Sequence, residues 1–170
     1  MNIKRFVLVT AAGSILAASS LSAAQNSATT SANANARIVA PIAIAKTVDL
    51  NFGDVVPGGT VGTVIVDAAG ARTSSGGASL GSSTGVAAAA FNVTGASNAT
   101  YAITLPAGTI TVTGPTSTMT VGTFTSSPSL TGTISAAGTQ ALTVGGTLNV
   151  GVNQAVGAYT GTFSVTVTYN

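Results

Sequence analysis

The stretch YTGTFSVTVTY, residues 159–169, shows the clearest alternation of side chains in this sequence. One set of alternate positions carries aromatic, aliphatic or glycine residues, namely Tyr159, Gly161, Phe163, Val165, Val167 and Tyr169. The positions between them are all serine or threonine. A period of two predicts a β-strand with one buried and one solvent-facing side. Because chain termini tend to fray, a strand this regular at a terminus is most useful if another segment pairs with it.

The chain before this stretch predicts many further short strands. Runs rich in valine, isoleucine, threonine and aromatic residues lie at residues 61–67, 90–95, 100–105, 109–113, 117–124, 130–135, 140–144 and 147–152. Glycine, proline and serine separate these runs, as they do at turns. Roughly ten to twelve short strands at this spacing predict an antiparallel β-sandwich or barrel. No amphipathic helix stands out between residues 25 and 170.

Several connections can be predicted from their turn residues. We expect turns at Pro57-Gly58-Gly59 and at the hairpin Asp67-Ala68-Ala69-Gly70. Residues 73–77 are small and polar and are expected to form a loop. The pair Gly145-Gly146 predicts a turn or a bulge between two strands.

The N-terminal residues have the pattern of a cleavable secretory signal. Lys4 and Arg5 precede a mostly apolar run at residues 6–18, and Ser22-Ala23-Ala24 resembles a cleavage site. The alternative, a membrane anchor, needs about 20 apolar residues, and this run is shorter. We therefore expect residues 1–24 to be removed during export through the Sec pathway. The protein would reach the periplasm and then the cell surface or exterior, without membrane insertion after processing.

Composition excludes most enzymatic chemistry in the processed chain. The sequence has five Lys and Arg residues, three Asp and Glu residues, no histidine and no cysteine. Without Lys4 and Arg5, three positive charges oppose three aspartates, so the net charge is 3 − 3 = 0. A neutral chain offers no electrostatic reason to bind nucleic acid. Without histidine or cysteine, the usual general bases, nucleophile pairs and zinc ligands are missing. We expect no enzyme activity, no cofactor and no metal site.

The residues after the expected cleavage site have a second alternating pattern. Residues 25–40 are expected to be a flexible arm and residues 41–170 a β-sandwich domain. Small or medium apolar side chains recur at Ala32, Ala34, Ala36, Ile38, Ala40 and Ile42. In β-strand addition, such a segment pairs with an open sheet edge and its alternate side chains fill pockets. These six residues are the candidate donor strand, and Tyr159, Gly161, Phe163, Val165, Val167 and Tyr169 are the candidate acceptor edge. The alternative is a self-contained domain in which residues 36–48 pair with residues 159–169 of the same chain.

Three segments carry a resemblance to a known family. They are LNFGDV at residues 50–55, the pair FNVTG and YAITLP at residues 91–95 and 101–106, and the ending at residues 145–170. Together they resemble a family of secreted bacterial domains of unknown function. That family is in turn similar to the spore-coat protein U domain of archaic chaperone–usher pilins. Those pilins often carry a disulfide, whereas this chain has no cysteine.

The resemblance implies an immunoglobulin-like, pilin-like sandwich that a strand from a neighbouring subunit can complete. The implied function is a non-enzymatic subunit of a fimbrium, or pilus, that serves cell adhesion or biofilm formation. Its implied partners are further copies of itself, a periplasmic chaperone and an outer-membrane usher. The alternative function is a monomeric secreted or cell-surface β-sandwich that acts as a matrix protein or binding module.

Overall fold

The computed structural model describes residues 27–170, so the expected signal peptide at residues 1–24 lies outside the described residues. The chain divides into two units at Arg37. In the first, residues 27–36 have no regular secondary structure, and their side chains are exposed. The second unit, residues 37–170, consists of antiparallel strands in two sheets and contains no helix. This arrangement confirms the predicted all-β, sandwich-like fold.

Ten strands make up the two sheets. In chain order they are β1 (Ala43–Val48), β2 (Val55–Val66), β3 (Arg72–Leu80), β4 (Ala89–Thr94), β5 (Thr100–Thr104), β6 (Ile110–Thr113), β7 (Thr118–Ser127), β8 (Thr131–Thr133), β9 (Thr139–Val150) and β10 (Thr166–Tyr169).

The larger sheet has seven strands built around β9. The first half of β9 pairs with β4 and its second half pairs with β2, so β4 and β2 follow one another along the same side of β9. β7 pairs with β9 along the other side. The sheet continues from β4 to β1, from β2 to β3 and from β7 to β6.

The smaller sheet has three strands in the order β10-β5-β8. β10 pairs with β5 from Thr166, opposite Thr104, to Tyr169, opposite Tyr101. β8 covers the other side of β5. β10 is therefore an edge strand, with one side that no strand of the described chain occupies.

One half of the hydrophobic core lies between the two sheets. The larger sheet contributes Ala89 and Val93 from β4 with Leu142 and Val144 from β9. Tyr101, Ile103 and Val167 of the smaller sheet pack against them, together with Ile134 just after β8. This half has the sheet-on-sheet packing of a β-sandwich.

The other half of the core has no facing sheet. Its buried residues all belong to strands of the larger sheet: Val64, Ala78, Val112, Val121, Leu148 and Val150. Only partly buried residues of the connection before β2 and of the C-terminal segment pack on it from outside, Leu50, Phe52 and Tyr159 among them. This half of the core is therefore covered by connecting segments rather than by a second sheet.

The strand boundaries correct several expectations from the sequence. The predicted loop at residues 73–77 lies inside β3, and the predicted turn at Pro57-Gly58-Gly59 lies inside β2, where the pairing register shifts. Gly145-Gly146 does not form a turn, because β9 runs through both residues, but the predicted irregularity is present there as a register shift in the ladder with β7. Glycine allows these strands to approach closely: a Cβ atom at Gly145 would overlap the Val66 carbonyl oxygen.

The hairpin between β2 and β3 is formed by the predicted turn residues. The Gly70 N–H donates to the Asp67 carbonyl oxygen at 3.0 Å. Asp67 Oδ1 accepts hydrogen bonds from the N–H groups of Ala69 and Ala71, each at 2.9 Å. Asp67 is therefore a turn-forming residue, in keeping with the local hydrogen bonding that aspartate favours.

Candidate strand-binding cleft

A cleft of about 890 Å³ lies beside the half of the core that has no facing sheet. Its floor is the larger sheet, with the partly buried Ile110 and Met119 and the buried Val112, Val121, Leu148 and Val150. One wall is the connection between β1 and β2, with Leu50 and Phe52. The other wall is residues 154–163 of the C-terminal segment. The cleft is thus lined by groups that a sandwich normally covers with a strand.

The C-terminal wall changes sheets along its length. Thr160 exchanges two main-chain hydrogen bonds with Thr113 at the end of β6, at 2.8 and 3.0 Å. Ladder pairing with β5, in the other sheet, begins only at Thr166. Residues 161–165 pair with neither sheet within the described chain. The prediction of one continuous strand over residues 159–169 is therefore wrong, because its two ends pair with different sheets.

The side chains of this segment nevertheless follow the predicted alternation. Phe163 and Val165 are partly buried against the core, and Val167 is buried. The Phe163 ring stacks on that of Phe124, with 4.9 Å between centroids. The serine and threonine residues between them are exposed. Residues 161–165 thus have an inner apolar side although they lack a strand partner.

The direction of the main-chain groups shows which side of β10 is open. The Asn170 N–H donates to the Thr100 carbonyl oxygen at 3.3 Å, towards β5. In an antiparallel ladder, residues that bond to one neighbour alternate with residues whose N–H and C=O groups point the other way. Val167 and Tyr169 therefore direct their main-chain groups away from β5. β1 lies near β10 but pairs with β4 in the other sheet.

The pairing expected for a self-contained domain is thus absent from the described chain. Residues 36–48 were expected, in that alternative, to pair with residues 159–169. Instead, Ala43 lies opposite Thr94 and Ile44 opposite Val93 in the β1–β4 ladder. The first and last strands lie in different sheets, and the edge of β10 that faces away from β5 has no ladder within the described chain.

Tyr159 has a different place from the other acceptor residues. Its hydroxyl donates to the Ala155 carbonyl oxygen at 2.7 Å and accepts from Gln154 Nε2 at 2.9 Å. Ser117 Oγ lies 2.6 Å from the same hydroxyl. These bonds fix the connection after β9 to the start of β7. Sequence patterns did not identify Gln154 or Ser117, since neither lies in a recognisable motif.

The six candidate donor residues fall into two groups. Ala32, Ala34 and Ala36 lie in the stretch without secondary structure, and Ile38 is 98% exposed. Ala40 is held in place by its carbonyl oxygen, which accepts a hydrogen bond from the Tyr169 hydroxyl at 2.8 Å. Ile42 is partly buried against the core of its own domain.

Charged groups are sparse around the cleft. Lys46 and Asp49 form an exposed ion pair at its rim. Arg72 donates hydrogen bonds to four carbonyl oxygens beneath the β1–β2 connection: those of Phe52, Asp54, Gly81 and Ser82.

Residues 27–170 bring no three metal-ligating side chains together. No helix in that part of the chain has the length and apolar character needed to span a bilayer.

Comparison with known proteins gives one match. The family model described as Domain of unknown function (DUF4402) matches residues 42–169, which includes every strand of both sheets. The match names neither a pilin nor a spore-coat protein. No curated protein and no solved structure matches the chain.

Proposed function

We propose that this chain, which belongs to the DUF4402 family, is a secreted structural subunit that assembles with its own copies into a surface fibre. Assembly proceeds by strand donation, in which the N-terminal arm of one copy enters the cleft of the next. The protein has no enzymatic role. A signal peptide at residues 1–24 directs export, as the charged start and apolar run at residues 6–18 support.

The observation that carries this proposal is the apolar cleft beside residues 161–165. The larger sheet carries a half-core without a facing sheet. The adjoining chain segment has an inner apolar side and no ladder partner in the described chain. An added strand would fill the cleft beside this half-core and pair with residues 161–165. Strand edges without a partner are otherwise aggregation hazards that proteins avoid.

The chain itself contains a segment suited to this site. Its exposed arm carries apolar side chains at every second position, from Ala32 to Ile38. When a strand adds to a sheet edge, main-chain hydrogen bonds provide affinity and the alternate side chains provide register. Burial of one isoleucine contributes about 1.5–3 kcal/mol. The three alanines contribute much less, so the main-chain ladder has to supply most of the remaining affinity.

The proposed assembly partners rest on the resemblance to spore-coat protein U and chaperone–usher pilin domains. A periplasmic chaperone would cover the cleft before assembly, and an outer-membrane usher would receive the subunits. The unpaired residues 161–165 support the need for such a chaperone, because an unpaired strand edge exposes a newly exported chain to aggregation.

The test is the assembly state of the full chain after export and processing. We expect fibres by negative-stain microscopy and a ladder of species on SDS gels that collapses to one band on heating. Hydrogen exchange supplies a second readout, because the main-chain amides of Gly161, Phe163 and Val165, which point to the open side, should exchange fast in the monomer and slowly in the fibre. A chain that stays monomeric at every concentration, with these three amides unprotected, would overturn the proposal.

A second candidate is the monomeric secreted sandwich. The observation that favours it is the tie between Ala40 and Tyr169, together with the packing of Ile42 and Ile44 on the core of their own domain. These contacts hold the start of the domain in place without a strand donated by another copy. For a monomer, a single cooperative unfolding transition with no dependence on protein concentration is expected.

A further inference from the structure

We infer that the donated segment is residues 34–38 of a second copy of this chain, and that Ile38 is the side chain that anchors it in the cleft. This inference rests on the proposed function and specifies which part of the arm does the binding. It shortens the candidate donor strand, which the alternation alone extended to Ile42.

The C-terminal limit of the donor comes from contacts within its own domain. The Ala40 carbonyl oxygen accepts the Tyr169 hydroxyl at 2.8 Å, and Ile42 packs on the core of the same domain. A segment that makes these contacts in one copy cannot also enter the cleft of another. The donor must therefore end before Ala40.

The length of the donor comes from the acceptor. Within the described chain, residues 161–165 are the part of the C-terminal wall that has no ladder partner on either side, between the bridge at Thr160 and β10, which has β5 on one side. Five residues of extended chain span about 17 Å, at roughly 3.3 Å per residue. Residues 34–38 are the five-residue window that ends at the last free apolar position of the alternating set, Ile38.

The choice of anchor follows from side-chain size. Ala34 and Ala36 each offer one methyl group, whereas Ile38 offers a full aliphatic side chain, and it is 98% exposed in its own copy. The cleft offers it larger apolar side chains that are only partly buried, such as Ile110, Met119 and Phe163. Val39 lies on the opposite side of an extended strand and would face away from the floor.

The connection between neighbouring subunits is short, because the anchor and the first residue tied to the donor's own domain are close in sequence. Only Val39 separates the anchor at Ile38 from Ala40, which is tied to the donor's own domain. Successive subunits would therefore be joined by about 7 Å of extended chain, at roughly 3.3 Å per residue. We expect a stiff fibre in which each domain is held close to the next.

Two neighbouring substitutions provide a matched test in the full chain. Ile38→Asn should abolish the heat-sensitive ladder on SDS gels, whereas Val39→Asn should leave it unchanged. Both side chains are exposed, so thermal melting of the monomeric fraction should be the same for both variants. Labelled peptides of residues 30–40 give the corresponding affinities for the monomeric full-length Ile38→Asn protein, whose cleft is intact. The peptide with Ile38→Asn should bind about 10- to 100-fold more weakly than the natural or the Val39→Asn peptide.

The outcomes separate this inference from the proposed function. If the natural chain assembles and binds the natural peptide, but Ile38→Asn changes neither, the anchor is wrong and strand donation stands. If Val39→Asn disrupts assembly as much as Ile38→Asn, the alternation is wrong. If neither the natural chain nor the natural peptide shows any association, the proposed function fails and this inference fails with it.

Discussion

Two tyrosines on paired strands place their hydroxyl groups in opposite environments. Tyr101 of β5 lies opposite Tyr169 of β10. The Tyr101 side chain is fully buried, and its hydroxyl has no hydrogen-bond partner among residues 27–170. Tyr169 is only partly buried; its hydroxyl accepts from the Ala96 N–H at 2.7 Å and donates to the Ala40 carbonyl oxygen at 2.8 Å. A buried polar group without a partner is costly, whereas a bonded one stabilises the fold.

Substitution of each tyrosine by phenylalanine should therefore have opposite effects on stability. Tyr101→Phe removes an unpaired hydroxyl, and we expect an unchanged or higher free energy of unfolding, by up to about 1 kcal/mol. Tyr169→Phe removes two hydrogen bonds, and we expect a loss of about 1–3 kcal/mol. Urea denaturation measures both. A loss in Tyr101→Phe equal to that in Tyr169→Phe would contradict the unpaired environment of Tyr101.

The buried Tyr101 hydroxyl should also affect the free energy of unfolding at alkaline pH. Burial raises the pKa of Tyr101 above its ordinary value of 10.0. The folded state therefore holds this proton more tightly than the unfolded state, and its contribution to stability is lost as the pH rises above about 10. The difference in unfolding free energy between Tyr101→Phe and the natural chain should grow in favour of the variant above that pH. A difference that stays constant with pH would contradict the burial of the hydroxyl.

At the scale of elements, glycines decide where strands can lie side by side. β2 and β3 pair through segments that contain several glycines, which is why their sequence predicts a loop. A Cβ atom at Gly77 would overlap the Thr60 carbonyl oxygen, whereas a Cβ atom at Gly59 would meet nothing within 4 Å. The close approach of the two strands is possible because one of them has no side chain at that point.

Alanine substitutions at these two glycines should separate close packing from chain flexibility. Gly77→Ala forces β2 and β3 apart, and we expect it to lower the free energy of unfolding by about 1–3 kcal/mol. Gly59→Ala should leave that free energy unchanged or raise it by about 0.4–1 kcal/mol, because the unfolded chain loses freedom. Thermal or urea unfolding distinguishes them. Equal effects of the two substitutions would show that the approach at Gly77 is not tight in solution.

At the scale of the whole molecule, few charges act between copies. The charged side chains after residue 27 are Arg37, Lys46, Arg72, Asp49, Asp54 and Asp67, with a net charge of 3 − 3 = 0. One of the possible pairs, Lys46 with Asp49, is already formed within the domain. Contacts between copies must then depend on apolar burial and main-chain hydrogen bonds.

Assembly of the full chain should therefore respond weakly to salt. Salt screens charge interactions over a distance of about 10 Å at 0.1 M and has little direct effect on apolar burial. We expect the rate of assembly, followed by light scattering, to change less than about threefold between 50 and 500 mM sodium chloride. A decrease of tenfold or more would show that steering by charges governs the encounter.

The candidate cleft could be predicted only in part. Alternation in residues 159–169 identified the inward-facing side chains, because successive residues of an extended chain point to opposite sides wherever the chain lies. It could not show that Thr160 bonds to β6 and Thr166 to β5, since the partner residues lie 47 and 62 residues earlier in the chain. The alternation of apolar residues in the arm extended the candidate donor to Ile42. It could not show that Ala40 contacts Tyr169, because these residues lie at opposite ends of the domain sequence.

What the sequence by itself determined is the local character of this protein: short strands, their buried and exposed sides, the Asp67 turn and the absence of histidine and cysteine. These follow from side-chain preference and period, which act over a few residues. Only the tertiary structure decided that β1 pairs with β4, that β10 keeps an open side, and that half of the core lacks a facing sheet. The physical reason is that strand pairing joins distant segments, and a main-chain edge offers the same hydrogen bonds to any partner that reaches it.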